Sequence, residues 1–528
     1  MSAGVVAASA GLVLGLAPAV QASAATQAYV PAQFIAKLYT EALGRIPDQA
    51  GWQRAVGYFR QSGCTADTLA GYGEGLFESS EFTGLGYDHS AELVALYRGA
   101  LNREPDPSGF AGWTQQLSSG LAWPTVVSKF FTSSEFGALV PLICSGAVDA
   151  SASSYYFGTE PPMAVPTVGS GFAGTEKALQ DLLNSTAAHG GGTVTLAQRA
   201  LITLTTSLRI PAGVTLTTTG APDARHYANM ARLVRDPAYA KPTTVDGMVR
   251  VAAGATLSDI WVDGTRGAPD NTAPLDDVIT YGGDTTVSGD RISDAQGPNS
   301  LYLFGGFNGY PCANETVSAN LITAYSSDHY RTNDWTDGIA DNCEDATIAG
   351  NQIVDSTDVA IVVYRNTANS PQHSAVRGNY VLSAGNSMYG GLGFDPLYEK
   401  GATPGTTFGF AGSSLTGNYF WSGPDTHFDI GLVDGSRAWF AARSGITADT
   451  GTGASITDNT TGTQSARVQT GVGIGGMVNT TVTGNSAAFQ HITAGQCPKV
   501  DYAAEISAGH ASGTITPVPT DINFDACV

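Results

Sequence analysis

The chain of 528 residues contains 65 glycines and only 13% charged residues, with 46 Asp and Glu against 25 Lys and Arg, for a net charge of −21. This length predicts more than one domain. Because phosphate binding needs clustered Lys and Arg, the charge argues against nucleic acid as a partner and favours neutral polymers over strongly anionic ones.

The N-terminus predicts an export signal. Residues 4–20 are apolar and mostly small, and Ala22-Ser23-Ala24 matches the small-x-small cleavage pattern, so residues 1–24 are predicted to be a signal peptide. No Lys or Arg precedes the apolar run, which leaves a disordered Ala-rich leader as the alternative. No other apolar run approaches the roughly 18–20 residues that span a bilayer. We therefore expect a secreted or cell-surface protein that does not span a membrane.

Residues 30–145 contain two copies of one motif and are predicted to form a small helical domain. Leu-Tyr, Leu-x-Arg-x-Pro-Asp, Gly and Trp in residues 38–52 return in residues 96–113. Phe-x-Ser-Ser-Glu-Phe in residues 77–82 returns in residues 131–136. The apolar positions recur with a helical period. Asp48 and Asp106, one in each copy, are more consistent with capping of a helix or turn than with metal binding.

This repeated pattern resembles a family of domains of unknown function that is related to phycobilisome linkers and is common in secreted bacterial proteins. The resemblance implies an attachment module that binds a cell-surface or secreted partner, and it implies no catalysis. Residues 146–170 are rich in Ser, Pro and Gly and are predicted to be a linker.

Residues 171–528 are predicted to form a right-handed parallel β-helix. One corner motif, Thr-apolar-x-Gly-Asn-x-apolar, recurs there at intervals of 26 to 41 residues, which indicates a solenoid. Each coil would add short parallel strands, with the Asn or Asp in the left-handed conformation at a corner and its side chain stacked along the axis. The Asn or Asp positions are Asp259, Asp290, Asn320, Asn351, Asn379, Asn418, Asn459 and Asn485.

The start of this region adds a resemblance to a known superfamily. A short amphipathic helix over residues 175–183 is followed by Gly-Gly-Thr-Val and Pro-x-Gly-Val strand segments. This order is similar to the N-terminal cap and first coils of the pectin-lyase-like β-helix proteins. The resemblance implies a β-helix that engages a polysaccharide.

The six cysteines are expected to form disulfides, since an even number of cysteines in an exported chain is typical of oxidised proteins. No close Cys-x-x-Cys spacing is present, so no zinc site and no other metal site is predicted. Grouping by region gives one hypothesis among many connectivities: Cys64–Cys144, Cys312–Cys343 and Cys497–Cys527.

Carboxylates are concentrated on two neighbouring coils of the predicted β-helix. Asp276 aligns without a gap on Asp337, and Asp337 and Asp358 are 21 residues apart, about one minimal coil. Neighbouring carboxylates repel each other and acquire different pKa values, which is the arrangement that acid/base glycoside hydrolysis requires. Asp334 and Asp341 complete the predicted catalytic set. The alternative is structural, because Asp is common where a side chain must hydrogen-bond a turn.

Flat side chains near these carboxylates in sequence are predicted to stack on sugar rings. The predicted substrate contacts are Trp335, Tyr330, Tyr364, Arg365 and Tyr398.

Residues 333–361 resemble the core of polygalacturonase-type inverting glycoside hydrolases. Asp337-Gly338-Ile339 matches the first family motif, whereas Thr357-Asp358 offers one carboxylate where the family has two. The Gly-His-Gly and Arg-x-Lys motifs of the family have no counterpart. The resemblance implies an inverting glycoside hydrolase, and the missing motifs argue against pectin as its substrate. With the negative charge of the chain, the predicted function is a secreted hydrolase that cleaves a neutral polysaccharide without a cofactor.

Two other functions remain open from the sequence. A polysaccharide lyase of this fold would use a basic or tyrosine residue as base, often with Ca²⁺, and Arg331, Arg365, Arg377, His329 and His373 are its candidates. A non-catalytic adhesion or glycan-binding rod fits the charge and the repeats equally well. His427, with Asp425 and Asp429 near it, is more consistent with solvated residues than with a metal site, and no Ser-His-Asp arrangement is recognisable in the sequence.

Overall fold

The computed structural model describes residues 28–145, 161–240, 244, 246–265, 275–295, 297–305, 312–323, 336–364, 372–385, 387–395, 408–435, 451–474, 477–491 and 500–504. Within these ranges, a group of α-helices precedes stacked coils whose strands form three long parallel sheets. The predicted fold class, a right-handed parallel β-helix with a small N-terminal all-α domain, is confirmed.

The helices of residues 28–145 fall into two sets that follow the sequence repeat. Asp48 and Asp106 accept hydrogen bonds of 2.7 Å from the backbone N–H groups of Gly51 and Gly109, so both are helix N-caps, as predicted. The first set is α1 (Ala32–Ala42), α2 (Gln49–Ser62), α3 (Ala66–Phe77) and α4 (Ser80–Gly84), and the second is α5 (His89–Leu101), α6 (Pro107–Ser118), α7 (Trp123–Phe131) and α8 (Ser134–Cys144).

As far as β25, each coil of the β-helix contributes one strand to each long sheet in turn, and the later described coils contribute strands to sheets 1 and 3. Sheet 1 contains β1 (Gly192–Leu196), β4 (Val214–Thr218), β7 (Thr256–Ser258), β10 (Thr286–Ser288), β13 (Glu315–Ser318), β16 (Ala346–Ala349), β19 (Ala375–Arg377), β23 (Ser414–Thr416), β27 (Ser455–Thr457) and β30 (Thr481–Thr483). Sheet 2 contains β2 (Leu201–Leu204), β5 (Ala231–Arg235), β8 (Ile260–Asp263), β11 (Arg291–Ser293), β14 (Leu321–Thr323), β17 (Gln352–Val354), β20 (Tyr380–Ser383) and β24 (Tyr419–Ser422).

Sheet 3 contains the longest strands of the β-helix. It contains β3 (Leu208–Ile210), β6 (Asp246–Ala252), β9 (Leu275–Tyr281), β12 (Asn299–Phe304), β15 (Asp337–Asp341), β18 (Val359–Tyr364), β21 (Met388–Asp395), β25 (Phe428–Asp434), β28 (Ala466–Ile474), β31 (Phe489–His491) and β32 (Val500–Ala504). A small parallel sheet joins β22 (Phe408–Gly409), β26 (Gly451–Thr452) and β29 (Met477–Val478).

The predicted stack of amides runs along the corner between sheets 1 and 2. At each step the amide of one Asn donates to the Oδ1 of the next Asn and to a strand carbonyl, as Asn351 does to Asn379 (2.9 Å) and to Val317 (3.1 Å). The ladder satisfies buried polar groups that would otherwise lose water on folding. It comprises Asn320, Asn351, Asn379, Asn418, Asn459 and Asn485, with Asp290 at its N-terminal end.

The left-handed conformation at this corner lies one residue earlier than the sequence predicted. Gly350 has φ of 68°, Ala319 has φ of 57°, and the ladder Asn follows in each case. Asp259 itself has φ of 56° and is level with Gly289, because Ser258 pairs with Ser288. The alignment of Asp259 with Asp290 was therefore wrong by one residue, and Asp259 is outside the ladder.

An amphipathic helix, α9 (Glu176–Ala188), closes the N-terminal end of the β-helix, as predicted. Leu179 and Leu183 are fully buried against the first coils, in one apolar cluster that continues along the interior. Burial of such side chains contributes about 1.5–3 kcal/mol each, so the helix shields the open end of the solenoid. In the predicted linker, residues 146–160 lie outside the described ranges, and Val168 pairs with Gln198 of the first coil.

The helical domain packs on the outward face of sheet 2. Trp261, Leu321 and Leu382 of that face belong to the same buried cluster as the core of the helical domain. A short 3₁₀-helix, Ala224–Asn229, joins this contact through Tyr227, whose hydroxyl donates to Glu41 at 2.8 Å. The helical domain and the β-helix therefore share a buried core.

Two of the three predicted disulfides, Cys64–Cys144 and Cys312–Cys343, are present. Cys497 and Cys527 lie outside the described residues. Disulfides of this kind fit an oxidising compartment.

In the described part of the chain, no helix by itself has the length and hydropathy needed to cross a membrane. The pair α7 and α8, bent by 57°, qualifies only when both helices are counted together.

Candidate functional site

The outward face of sheet 3 brings Asp337 and Asp358 side by side on adjacent coils. Asp337 opens β15, and Asp358 directly precedes β18, the neighbouring strand. The N–H of Val359 donates to Oδ1 of Asp337 at 2.9 Å, and the N–H of Asp358 donates to the carbonyl of Thr336 at 3.1 Å. Both carboxylate residues are partly exposed. The 21-residue spacing in the sequence thus corresponds to one coil.

Around Gly338 the strand departs from regular alternation, because Asp337 is partly exposed on the outer face while the residue two further on faces the core. Ile339 is fully buried in the interior cluster, whereas Val359, which binds the Asp337 carboxylate, lies in a separate cluster on the outer face. A Cβ at position 338 would lie 2.4 Å from the carbonyl oxygen of Ala360 on the next coil, so only glycine fits there.

The two carboxyl groups have raised pKa values for different combinations of causes. Burial raises the pKa of Asp337 well above its usual value, and the neighbouring charge of Asp358 raises it further. Burial also raises the pKa of Asp358, to about 7, with added repulsion from Asp395 and Asp429. Because the charge of Asp358 is among the causes that raise the pKa of Asp337, Asp337 holds its proton more firmly once Asp358 has ionised.

Further carboxylates line the same face. Asp276 lies two coils before Asp337 in the same row of the sheet, where it accepts hydrogen bonds from the backbone N–H (3.0 Å) and side chain (2.9 Å) of Asn299. Asp395 pairs in register with Tyr364, and Asp429 lies on β25. Except for the partly exposed Asp337 and Asp358, these carboxylates are buried, and burial raises the pKa of Asp276 well above its usual value.

Aromatic rings lie beside the carboxylate pair. Tyr364, a predicted substrate contact, is partly exposed and stacks on Tyr302 of the preceding rows, with ring centroids 6.0 Å apart and an interplanar angle of 24°. Phe304 meets Tyr302 edge to face at 5.3 Å. Burial and the neighbouring Tyr302 are the largest causes that raise the pKa of Tyr364, and the charges of Asp337 and Asp276 raise it further. The face thus offers flat apolar surface next to two acids.

Asp341 requires a correction, because it does not share this face. It is fully buried, in line with core residues Leu303 and Val363 of the neighbouring strands. Its carboxylate accepts hydrogen bonds from the N–H of Cys343 at 2.8 Å and from the side chain of Gln372 at 3.2 Å. These contacts organise a buried turn, so the structure argues against the predicted catalytic role of Asp341.

A family model described as a domain of unknown function (DUF4214) matches residues 73–140, within the helical domain. No curated protein matches this sequence. The resemblances to phycobilisome linkers and to pectin-lyase-like proteins stay predictions.

Among solved structures, the chain is similar to the tailspike protein of E. coli bacteriophage HK620 in complex with pentasaccharide, with 14% identity and a TM-score of 0.40. That similarity covers 65% of this chain and 60% of the tailspike chain. It is also similar to a mutant of the same tailspike, with 13% identity, a TM-score of 0.41 and the same two coverages. The Dettilon tailspike protein has 14% identity and a TM-score of 0.35, over 60% of this chain and 64% of that chain. The chain therefore spans less than two thirds of the tailspike chains that it is similar to.

Several predicted site residues lie outside the described residues, in the segments that flank the strands of sheet 3. These are the candidate acid Asp334 and the candidate substrate contacts Tyr330, Trp335, Arg365 and Tyr398. They stay predictions.

Within the described ranges, one group of side chains has the spacing of a metal site. Cys312, Cys343 and Glu315 have potential ligand atoms within 4.8 Å of one another. The two sulfur atoms are bonded to each other as a disulfide, and burial followed by the charge of Asp341 raises the pKa of Glu315 to about 9. A disulfide and a protonated carboxyl group are poor ligands, so this group does not fit a metal ion.

The sequence missed Asp395, Asp429 and Tyr302 as members of the site. None of them lies within 25 residues of both Asp337 and Asp358, and each reaches this face only through the register of the coils. The gapless alignment of Asp276 with Asp337 could not have found them, because that row continues through Val359 and Gly390 and contains none of the three.

Proposed function

We propose that this protein is a secreted glycoside hydrolase that cleaves a neutral extracellular polysaccharide on the outward face of sheet 3. The observation that supports this most directly is the pair of partly exposed carboxylates on adjacent coils, Asp337 and Asp358, both with raised pKa values. Glycoside hydrolysis needs one carboxyl group that is protonated and one that is ionised at the working pH.

In the proposed reaction, Asp337 is the general acid and Asp358 is the general base. Asp337 donates its proton to the glycosidic oxygen as the bond to the anomeric carbon breaks. Asp358 takes a proton from the water that attacks this carbon from the opposite side, so the product anomer is inverted. The polygalacturonase-like motif at Asp337-Gly338-Ile339 supports the inverting route, and each proton transfer is expected to contribute 10²–10⁴-fold.

The charge of the face favours a neutral substrate. The charges of Asp395 and Asp429 lie close enough to raise the pKa of Asp358, and the net charge of the whole chain is −21, so a polymer of uronic acids would be repelled. The partly exposed ring of Tyr364, backed by Tyr302, supplies an apolar platform of the kind on which sugar rings stack. Secretion is supported by the predicted signal peptide in residues 1–24 and by the two disulfides.

The proposal is tested by screening the full secreted chain against neutral and acidic polysaccharides for new reducing ends, followed by NMR of the released anomer. Asp337→Asn and Asp358→Asn are each expected to lower the rate at least about a hundredfold. The matched control is Asp458→Asn, an exposed carboxylate at the corner of sheets 1 and 2 whose φ of 57° suits Asn equally.

Three outcomes would contradict the proposal. Full activity in the Asp337→Asn, Asp358→Asn double variant would exclude the pair. Products with an unsaturated uronate and its ultraviolet absorbance would identify a lyase instead. Glycan binding without cleavage, unchanged by both substitutions, would favour the non-catalytic rod.

A further inference from the structure

A second constellation lies further along sheet 3 and was not recognised in the sequence. Ser387 directly precedes β21, and His427 directly precedes β25, the adjacent strand, so the two residues are neighbours across one coil step. The hydroxyl of Ser387 lies 2.9 Å from Nδ1 of His427, and Nε2 of His427 lies 3.1 Å from Oδ1 of Asp429. The expectation that the chain has no Ser-His-Asp arrangement is thereby corrected.

The hydrogen bonds define the tautomer of the histidine. Asp429 is ionisable and accepts, so Nε2 of His427 donates its proton to it, and Nδ1 is left with the lone pair that accepts the Ser387 hydroxyl. A second donor, the side-chain amide of Gln469, binds the same Oδ1 of Asp429 at 2.6 Å and fixes the carboxylate in place. The ring is therefore held from one side and offers a base to the serine on the other.

Exposure changes along this chain of groups in the direction that nucleophilic catalysis needs. The side chain of Asp429 is only 1% exposed, that of His427 is 16% exposed, and Ser387 is partly exposed. The acid that orients the base is thus shielded from water, and the hydroxyl can reach a substrate. In acyl-transfer enzymes a serine, a histidine and a carboxylate have the same three roles, whatever their order in the chain.

We propose that Ser387, His427 and Asp429 form a nucleophilic site that hydrolyses carboxylic esters, of the kind formed by short acyl groups on sugar hydroxyls. Oγ of Ser387 forms a bond to the ester carbonyl carbon, and its proton moves to Nδ1 of His427. The bond from that carbon to the alcohol oxygen breaks, and the alcohol leaves with the proton from Nδ1. Water then attacks the acyl-serine, again with Nδ1 as base, which releases the carboxylic acid and restores the hydroxyl.

Two features of the site bear on its substrate. Arg467 follows Ser387 and His427 in the same row, and its guanidinium donates to the carbonyl of Thr426 at 3.4 Å. It provides a positive charge to a row that has to accommodate developing negative charge on the carbonyl oxygen. The site shares the outward face of sheet 3 with Asp337 and Asp358 but uses neither of them, so it goes beyond the proposed glycoside hydrolysis.

The test uses the full chain with 4-nitrophenyl acetate as substrate and a fluorophosphonate as covalent probe. Mass spectrometry of the labelled protein is expected to find the phosphonyl group on Ser387. Ser387→Ala should abolish labelling and lower ester hydrolysis at least about a hundredfold, and His427→Gln should lower the labelling rate by a similar factor. Ser288→Ala, a partly exposed serine of sheet 1, is the control.

Labelling at a residue other than Ser387, or ester hydrolysis that persists in Ser387→Ala, would overturn the proposal. Because the labelled residue is mapped on the protein with its native sequence, the test holds even if a variant fails to fold. The two proposed activities are separated by cross-tests. Asp337→Asn should leave hydrolysis of 4-nitrophenyl acetate unchanged, and Ser387→Ala should leave cleavage of a de-esterified polysaccharide unchanged. Loss of both activities in Ser387→Ala would contradict independent sites.

Discussion

The outward faces of sheets 2 and 3 both contain buried charge, but they treat it in opposite ways. On sheet 2, which the helical domain covers, Arg291 is fully buried and binds Glu41 at 2.5 Å, and Arg98 binds the same carboxylate at 2.8 Å. Burial alone would raise the pKa of Glu41, but these two guanidinium groups hold it well below its usual value. On sheet 3, burial and like charges raise the pKa of Asp337 and Asp358.

The cations of sheet 2 are also shared among several partners. Arg232 binds Glu104 at 2.9 Å and Asp263 at 2.8 Å, and its guanidinium lies 3.7 Å from the ring centroid of Trp261. Burial would raise the pKa of Glu104, yet Arg232 and Arg98 lower it to about 2. Compensated charge of this kind specifies how two surfaces fit together, whereas uncompensated carboxylates retain protons that chemistry can use.

The largest effect on stability is expected from breaking the compensation on sheet 2. Glu41→Gln leaves Arg291 buried without its counter-charge, which should lower the free energy of unfolding by about 3–5 kcal/mol in urea denaturation. Glu81→Gln is the matched control, because Glu81 binds Arg45 at 2.7 Å but is one-third exposed, where such pairs contribute about 0–1 kcal/mol. Equal losses of stability in the two variants would show that the buried ion pairs contribute no more than an exposed one.

On sheet 3 we expect that removing a carboxylate raises the free energy of unfolding instead of lowering it. Asp358 has a folded-state pKa of about 7, above the value of about 4 in the unfolded chain, so the folded protein loses stability as pH rises between these values. Asp358→Asn removes this loss and should raise the free energy of unfolding at pH 8 on the order of 1 kcal/mol, allowing for screening at a partly exposed site. Thermal unfolding at pH 4 and pH 8 measures it. A variant that is less stable at pH 8 than the native protein would contradict the assignment.

A smaller change, in the pH dependence of activity, is expected from removing one like charge on the outward face of sheet 3. Asp395→Asn removes the largest charge that raises the pKa of Asp358, so that pKa should fall. The acid limb of the pH–rate profile for glycan hydrolysis should then move to lower pH, by roughly one unit or less. A shift of the acid limb to higher pH would show that Asp395 does not act on Asp358. An unchanged profile in Asp395→Asn together with a clear shift in Asp429→Asn would show the same.

The smallest effect is expected for carboxylates on neither face. Asp48→Ala and Asp106→Ala should each lower the stability of the helical domain by about 1 kcal/mol, while Asp48→Asn should be nearly neutral, because Asn caps a helix equally well. Chemical denaturation with and without added Ca²⁺ provides the measurement. A Ca²⁺-dependent stability that Asp48→Asn abolishes would favour metal binding over capping.

The sequence predicted those features that depend on local conformation or on a repeated spacing. The recurring corner motif predicted the coils, because each step needs a left-handed residue followed by a stacking amide. The repeated helices of residues 30–145 followed from their apolar period. The distance from Asp337 to Asp358 matched one coil, and two cysteine pairs followed from their regions.

The tertiary structure decided what depends on register and on which face each side chain takes. Asp337 and Asp341 are four residues apart and would share a face in a regular strand, but Asp337 is partly exposed whereas Asp341 is fully buried, so the alternation is broken between them. Ser387, His427 and Asp429 meet only because two strands pair after a connection whose length no repeat fixes. The docking of the helices on sheet 2 depends on a surface that exists only when several coils are stacked. The pattern of side chains in the sequence was therefore enough to predict the fold. Only the packing of the folded chain separated structural carboxylates from those available for chemistry.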